Sequence, residues 1–459
     1  MRHLIFGLND KPTPGLAFTA ALQHVLASFV GIITPTLVIG NATGLHNEIP
    51  YLLSMALLVS GIATFIQVKK IGPLGAGMIA VQGTSFAFLG ALLTAGGLVK
   101  SRGGSPEQIM AMMVGICFIG AFVELLVSQF IHRLKAIINP TVTGVVIITI
   151  GVSLIKVGMT DLAGGFGAEQ FGSPNYLMIG LCVLGLIIIL STFKNPWLRL
   201  SAILIGMLVG SLAGYGLGIF EPKDLPDLPL IAIPQPFKYG FDFDWQLFIP
   251  VAFIYFLTAI ETSGDLTAVS YFCGLPVKGS SYLARIKGGV MADGFNSMLA
   301  AVFNTFPNTT FGQNNAVIQM TGVASRYVGF YIAGILVLLG LFPIIGAALQ
   351  LIPKPVLGGA TLVMFGTVAV AGVNVLTHEP LDRRRTVIVA ASLGLGLGSM
   401  MVPELLQHTP SLLQVAFSSP VAVAGMTAIV LSLMIRPDAA DQTSEQNSAQ
   451  ADTIANQES

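Results

Sequence analysis

Long apolar runs separated by short polar joints make up nearly the whole chain. A bilayer-spanning helix needs about 20 mostly apolar residues, and fourteen stretches meet that length. They lie near 15–40, 49–68, 72–96, 107–130, 138–157, 174–193 and 198–219, then near 246–272, 283–303, 305–324, 327–352, 354–376, 384–402 and 415–435. The third, ninth and tenth are diluted by glycine or polar residues. The tenth breaks the pattern most. Thr305–Ser325 reads TFPNTTFGQNNAVIQMTGVAS and strings together Asn308, Thr309, Thr310, Gln313, Asn314 and Asn315. Polar side chains and irregular backbone are tolerated at membrane depth only inside protein or along a wet cavity. Pro307 has no N–H and Gly312 is permissive, which argues against one continuous helix. The expectation is a short extended run, a break, and a half-helix starting near Gln313. Transporters place substrate sites at such broken spans.

A second broken span matches the first. GAGMIAVQGTSFAF, in the third run, is a short apolar stretch followed by Gln82 and small or polar residues. The fifth and twelfth runs also correspond: NPTVTGVVIITIG and KPVLGGATLVMFG place glycine four and eleven residues after Pro140 and Pro355. Seven spans is an odd number, so two such halves face opposite ways. The predicted fold class is an all-α polytopic membrane protein of fourteen segments, a seven-plus-seven inverted repeat with short strands in broken spans 3 and 10. This plan points to alternating access around a midplane site.

Composition agrees. Hydrophobic residues make up 54% of the 459 and charged residues only 10%. A soluble domain carries about 25% charged residues. The formal net charge is zero, so no basic field marks a nucleic-acid partner. Cys117, Cys182 and Cys273 show no paired or metal-binding spacing. The N-terminal RHLIFGLNDKPTP has neither the apolar core nor the cleavage site of a signal peptide. Of the 22 Lys and Arg, only Lys100, Arg102, Lys156, Lys223, Lys238 and Lys354 fall outside when both termini are placed in the cytoplasm, as the positive-inside rule prefers. The stretch 220–245, rich in Pro and Asp, reads as a periplasmic connector. The segments 1–14 and 437–459 read as a cytoplasmic N-terminal segment and a disordered acidic tail. No HExxH, GxSxG or Cys–His pairing occurs in the spans, so an enzyme is not expected. Neither a cofactor nor a metal is expected, with the proton as co-substrate.

An ionisable group inside a span is expensive, roughly 2.5–3.5 kcal/mol at its centre. Five invite a reason: His24, Glu124, Glu261, Asp265 and Asp293. Glu261 and Asp265 are one helical turn apart on one face. Two carboxylates that close resist being charged together, so the pair suits proton exchange. Asp293 is a second candidate relay, with an ion pair to Lys287 as the structural alternative. His24 is either an orienting group or a packing residue, and Glu124 reads as structural. Gln313 and Asn314 each present an amide donor and acceptor, which matches the edge of a planar heterocycle. Phe86, which follows Gln82-Gly83-Thr84-Ser85, offers a ring for stacking.

These motifs resemble the nucleobase–ascorbate transporter family, the second family of nucleobase–cation symporters. Its signature is Gln, Glu or Pro, then Asn, any residue, Gly, four residues, Thr, and Arg, Lys or Gly. Gln313 to Gly322 fits, except that Ala316 replaces the usual glycine. Gln23-His24, Glu261-Thr-Ser-Gly-Asp265 and Ala292-Asp293-Gly294 also look like family motifs. FNTFPNTTFGQNN, MTGVASRYVG and VLGGATLVMFG look most like the family's bacterial xanthine permeases. The resemblance implies a core domain (15–130 and 246–352) moving against a gate domain (138–219 and 354–435), commonly in a homodimer in the bacterial inner membrane. It implies a purine substrate bound by Glu261 and Gln313, with Asn314, Ser85, Phe86 and Ala316 shaping the pocket. Asp265, Asp293 and His24 would support the proton-linked cycle. Gln rather than Glu at 313 favours oxidised purines, xanthine or urate. Uracil, hypoxanthine or guanine transport is the alternative within the family, and anion exchange on the same architecture the alternative outside it.

Overall fold

The computed structural model describes residues 4–131, 133, 139–165, 168–220, 229–277, 279–377, 380–406, 408, 417 and 419–435. The expected tail 437–459 and part of the 220–245 connector therefore lie outside the described residues. So do the side chains of Gln313 and Ala316.

The chain is mostly helical. In order it forms α1 (Pro14–Thr43), α2 (Ile49–Lys69), strand β1 (Gln82–Thr84), a 3-10 turn (Phe86–Phe88) leading into α3 (Leu89–Ser101), α4 (Pro106–Phe130), α5 (Pro140–Leu162), α6 (Pro174–Ser191), α7 (Pro196–Leu200) and α8 (Ala202–Gly216). There follow α9 (Trp245–Phe272), α10 (Ser280–Val302), strand β2 (Asn308–Thr310), α11 (Gln313–Thr321), α12 (Arg326–Leu341), α13 (Pro343–Gln350), α14 (Lys354–Leu376), α15 (Arg383–Met401) and α16 (Pro420–Met434). Local chemistry sets many of these ends. Proline stands in the first turn of α1, α4, α5, α6 and α16, where its missing N–H is no loss. Ser105 and Gln108 close a capping box on α4, and the Asp244 carboxylate accepts from Gln246 N–H at the start of α9.

Among the described residues, seven helices are long and apolar enough to cross a membrane. A bent pair, α12 with α13, makes an eighth. Two expected runs differ from prediction. The 327–352 run turns by 80° between its two helices, because Pro343 removes an N–H and pushes Phe342 out of helical geometry. The 198–219 run is divided at Ser201 between α7 and α8.

The helices fall into two packing groups. In the first, α2 lies along α12, α4 along α10 and α9, and α1 against α2, α3 and α12. In the second, α5 lies along α14, with α6, α8, α15 and α16 around them. Contacts between the groups are sparse; the larger ones run through α9, which touches α5 and α16, and α1, which touches α7 and α8. The α5–α14 seam is built on small residues: a methyl group at Gly151 would meet Ala369 N at 2.4 Å, and one at Gly372 would meet Ile148 N at 2.5 Å.

The first group holds the two broken spans. β1 and β2 pair antiparallel, with Gln82 opposite Thr310, Gly83 opposite Thr309 and Thr84 opposite Asn308. Each strand thereby satisfies unwound backbone that lipid could not. Gly83 lets the crossing close, since a Cβ there would lie 2.5 Å from the Phe311 ring and 2.7 Å from Ile32. The N-terminal segment also has a place that its sequence did not foretell. Phe6 bridges Val323, Ile5 N–H donates to Gly322 O at 2.8 Å, and Arg326 N–H donates to Leu8 O at 3.0 Å. It straps the joint between α11 and α12.

Candidate functional site

Both half-helices start beside the strand crossing: the 3-10 turn leading into α3 follows β1, and α11 follows β2. α1 and α9 pack against α11. The crossing therefore gathers residues that lie hundreds of positions apart.

His24 on α1 is fully buried, and its Nδ1 lies 3.0 Å from Asn314 Oδ1 on α11. His24 Nε2 and Asn314 Nδ2 have no partner among the described residues, although both are shut away from solvent. The Ser85 hydroxyl is likewise buried and unpartnered. Buried polar atoms left open are uncommon, because each forfeits hydration without replacement. All three lie on segments that border the crossing, since α1 packs against both β1 and α11 and Ser85 follows β1. Phe86, expected to stack on a substrate ring, meets Phe365 of α14 edge-on, with centroids 5.7 Å apart. It stands where the two helix groups face each other.

Glu261 and Asp265 lie half-buried on α9 and make no hydrogen bond or ion pair among the described residues. Asp265 is pressed against the start of α11: a Cβ on Gly312 would fall 2.4 Å from its Oδ1. Glycine at 312 is what lets the carboxylate approach. Asp293 is held quite differently. It accepts from Gln67 Nε2 at 2.6 Å, Thr262 Oγ1 at 2.6 Å, Thr310 N–H at 3.1 Å and Thr310 Oγ1 at 3.2 Å. The alternative of a Lys287 ion pair is thus replaced by a hydroxyl, amide and backbone cage. Asp293 ties α2, α9, α10 and β2 together from beneath the crossing. Glu261, Asp265 and Asp293 are close enough to interact electrostatically. Glu124 lies one layer away, where Thr258 Oγ1 donates to its Oε1 at 3.4 Å while Oε2 finds no partner.

Gln67 in this network escaped sequence reasoning, and Gln82 and Asn308 were legible only as polar interruptions of their spans. Gln67 donates to Asp293 and to Gly289 O and accepts from Ala76 N–H. Gln82 Nε2 donates to Thr310 Oγ1 at 2.9 Å. Asn308 is buried with both amide atoms open. Gln67 sits two residues before Lys69-Lys70, so by position it resembled an interfacial residue, and nothing local marked it as buried.

The site is a polar crossing of half-helices inside a bundle of membrane helices, the architecture of a membrane transporter. Comparison with known proteins identifies which kind. A family model described as "Permease family" matches residues 15–405. The chain belongs to this family, the nucleobase–ascorbate transporters, and is an integral membrane permease. Xanthine permease XanP of Escherichia coli (strain K12) is 45% identical over 440 residues, covering 95% of this chain and 95% of the relative. Xanthine permease XanQ of the same strain is 44% identical over 436 residues, 94% of each chain. A uric acid-xanthine permease of Emericella nidulans is 31% identical over 432 residues, covering 87% of this chain and 75% of its own. Two solved structures share the fold. The transmembrane domain of the cyanobacterium bicarbonate transporter BicA has a TM-score of 0.51 at 15% identity, covering 92% of this chain and 99% of its own. The murine Slc26a9 anion transporter has a TM-score of 0.58 at 10% identity, covering 93% and 69%.

Proposed function

We propose that this protein carries out proton-coupled uptake of an oxidised purine, xanthine or its near relative urate, across the bacterial inner membrane by alternating access. The observation that carries the reading is the set of unsatisfied polar groups at the crossing: His24, Asn314 and Ser85 open, and Glu261 without a partner among the described residues on α9, which packs against α11. A flat ring edged with N–H and C=O groups supplies what these atoms lack. Glu261 and the Gln313 amide bind the ring, Asn314 and the backbone at Phe86 and Ala316 shape the pocket, and His24 orients Asn314. Asp265 takes part in the proton cycle, and Asp293 holds the crossing while coupling it to α9. The xanthine permease relatives, matched over nearly their whole length, support the substrate class.

The two helix groups are the moving core and the gate of a seven-plus-seven inverted repeat. Pairings within each group support this, because exchanging the halves maps α2–α12 onto α4–α10, α1–α2 onto α9–α10, and α15–α16 onto α6–α8. The working unit is a homodimer. Labelled xanthine uptake in permease-deficient cells should rise with an inward proton gradient and collapse with a protonophore. Absence of saturable purine uptake ends the reading. Anion exchange on the same architecture, the second reading suggested by a bicarbonate transporter and an anion transporter of like fold, wants a cation at the half-helices, and neither 75–90 nor 305–322 contains Lys or Arg.

A further inference from the structure

At the end of the molecule where α1 finishes, away from the N-terminal strap, a cavity of about 420 Å³ opens between the two helix groups. Its walls come from α1, α3, α5 and α14. Three lysines reach it from three different helices: Lys100, Lys156 and Lys354. Asp161 is the one carboxylate among the lining residues; His46 and Asn41 add neutral polar groups. With Asp161 ionised and His46 neutral, the cavity carries a net positive charge.

None of the three lysines forms an ion pair among the described residues. Among the described residues, the ion pairs are Arg102 with Asp244 and Lys238 with Glu48, both at this same end. Those acids are thus taken. Lys354 lies close enough to Asp161 to interact with it but forms no ion pair. Two glycines seat the ammonium groups. Lys100 Nζ rests 3.3 Å from where a Cβ of Gly44 would be, and Lys354 Nζ 2.7 Å from that of Gly165. Lys354 is also the first residue of α14. There the helix dipole is positive, a poor place for a cation and a good one for an anion. The cavity's apolar floor includes Leu93, seven residues beyond Phe86 and so about 10 Å along the helix.

We propose that this cavity is an encounter site that draws in the anionic form of the purine substrate before it reaches the crossing. The inference rests on the purine-transport reading above and deepens it by naming the charge form first captured. Xanthine and urate are weak acids whose anions spread one charge over a flat ring. Three unpaired ammonium groups over an apolar floor suit that shape. A positively lined cleft raises the local concentration of an anion, and salt weakens the effect.

The test compares wild type with the triple variants Lys100→Gln/Lys156→Gln/Lys354→Gln and Lys100→Arg/Lys156→Arg/Lys354→Arg in proteoliposomes. Initial rates are measured below and above the pH at which xanthine loses its proton, at low and at physiological salt. At low salt the Gln triple should raise KM roughly tenfold where xanthine is anionic, leave it near wild type where xanthine is neutral, and change kcat less. The Arg triple should match wild type, and salt should erase the difference. An equal KM shift for both forms, no shift at all, or a shift that follows anionic lipid content overturns the proposal. Should the Gln triple not fold, Lys156→Gln alone should show a smaller shift of the same kind, and its absence overturns the proposal too. Wild type without saturable xanthine uptake refutes the transport reading instead.

Discussion

Glu261 and Asp293 interact across one small space yet are held in opposite ways. Glu261 has no partner of its own; Asp293 has donors on three elements. An unpaired carboxyl is free to bind and release, whereas a caged one is a fastening. Replacing Glu261 by Gln should abolish xanthine uptake while the protein still reaches the membrane at wild-type level, read by uptake and surface expression together. Gln313→Ala should lose transport or change the order of preference in a competition series of urate, hypoxanthine, guanine and uracil against xanthine. Wild-type kinetics in both variants would remove the site. Asp293→Asn should mainly destabilise, because an amide nitrogen then faces donors with nothing to accept them. The expected loss is about 1–3 kcal/mol, seen as a lower midpoint of thermal unfolding in detergent. An unchanged midpoint with lost transport would instead make Asp293 part of the proton path. At this scale the sequence singled out acids and amides because they are rare in apolar runs. It could not separate a free acid from a fastened one, since the fasteners Gln67, Thr262 and Thr310 are ordinary residues in sequence.

The strand crossing is the element that everything else is arranged around. Its existence was legible: Pro307 and Gly312 interrupt one span, and Gln82-Gly83-Thr84 interrupts another. Its pairing was not, because three-residue strands carry no periodicity strong enough to set a register. The contact of Gly83 with Phe311 and Ile32 gives a direct check. Gly83→Ala forces a methyl group into 2.5 Å contact with an aromatic ring and should cost about 1–3 kcal/mol by overpacking. The loss should appear in the thermal midpoint, and transport should fall with it. The 80° turn at Phe342 belongs to the same scale. Hydropathy averages over a window and so passes smoothly across a proline that the backbone cannot ignore.

Over the whole molecule, the sparse contact between the two helix groups is the feature with mechanical meaning. A Cβ on Gly264 of α9 would lie 3.6 Å from Thr143 Cγ2 of α5, so a cysteine pair there would join the groups. In a variant lacking Cys117, Cys182 and Cys273, Gly264→Cys with Thr143→Cys should lose uptake on oxidation and regain it on reduction, while xanthine still binds. Wild-type rates in the cross-linked protein would rule out relative motion of the two groups at this seam.

Membrane residence and the two interrupted spans followed from the order of residues alone, because burial in lipid demands long apolar runs and makes every polar exception conspicuous. The family followed too, since a motif is read along the chain. Only the folded chain decided that β1 meets β2, that His24 reaches Asn314, and that the N-terminal segment straps the α11–α12 joint. It also brought Lys100, Lys156 and Lys354 to one cavity. The reason is physical: hydropathy is a property of consecutive residues, but a hydrogen bond between residues 290 positions apart depends on how helices cross, and no local preference encodes a crossing.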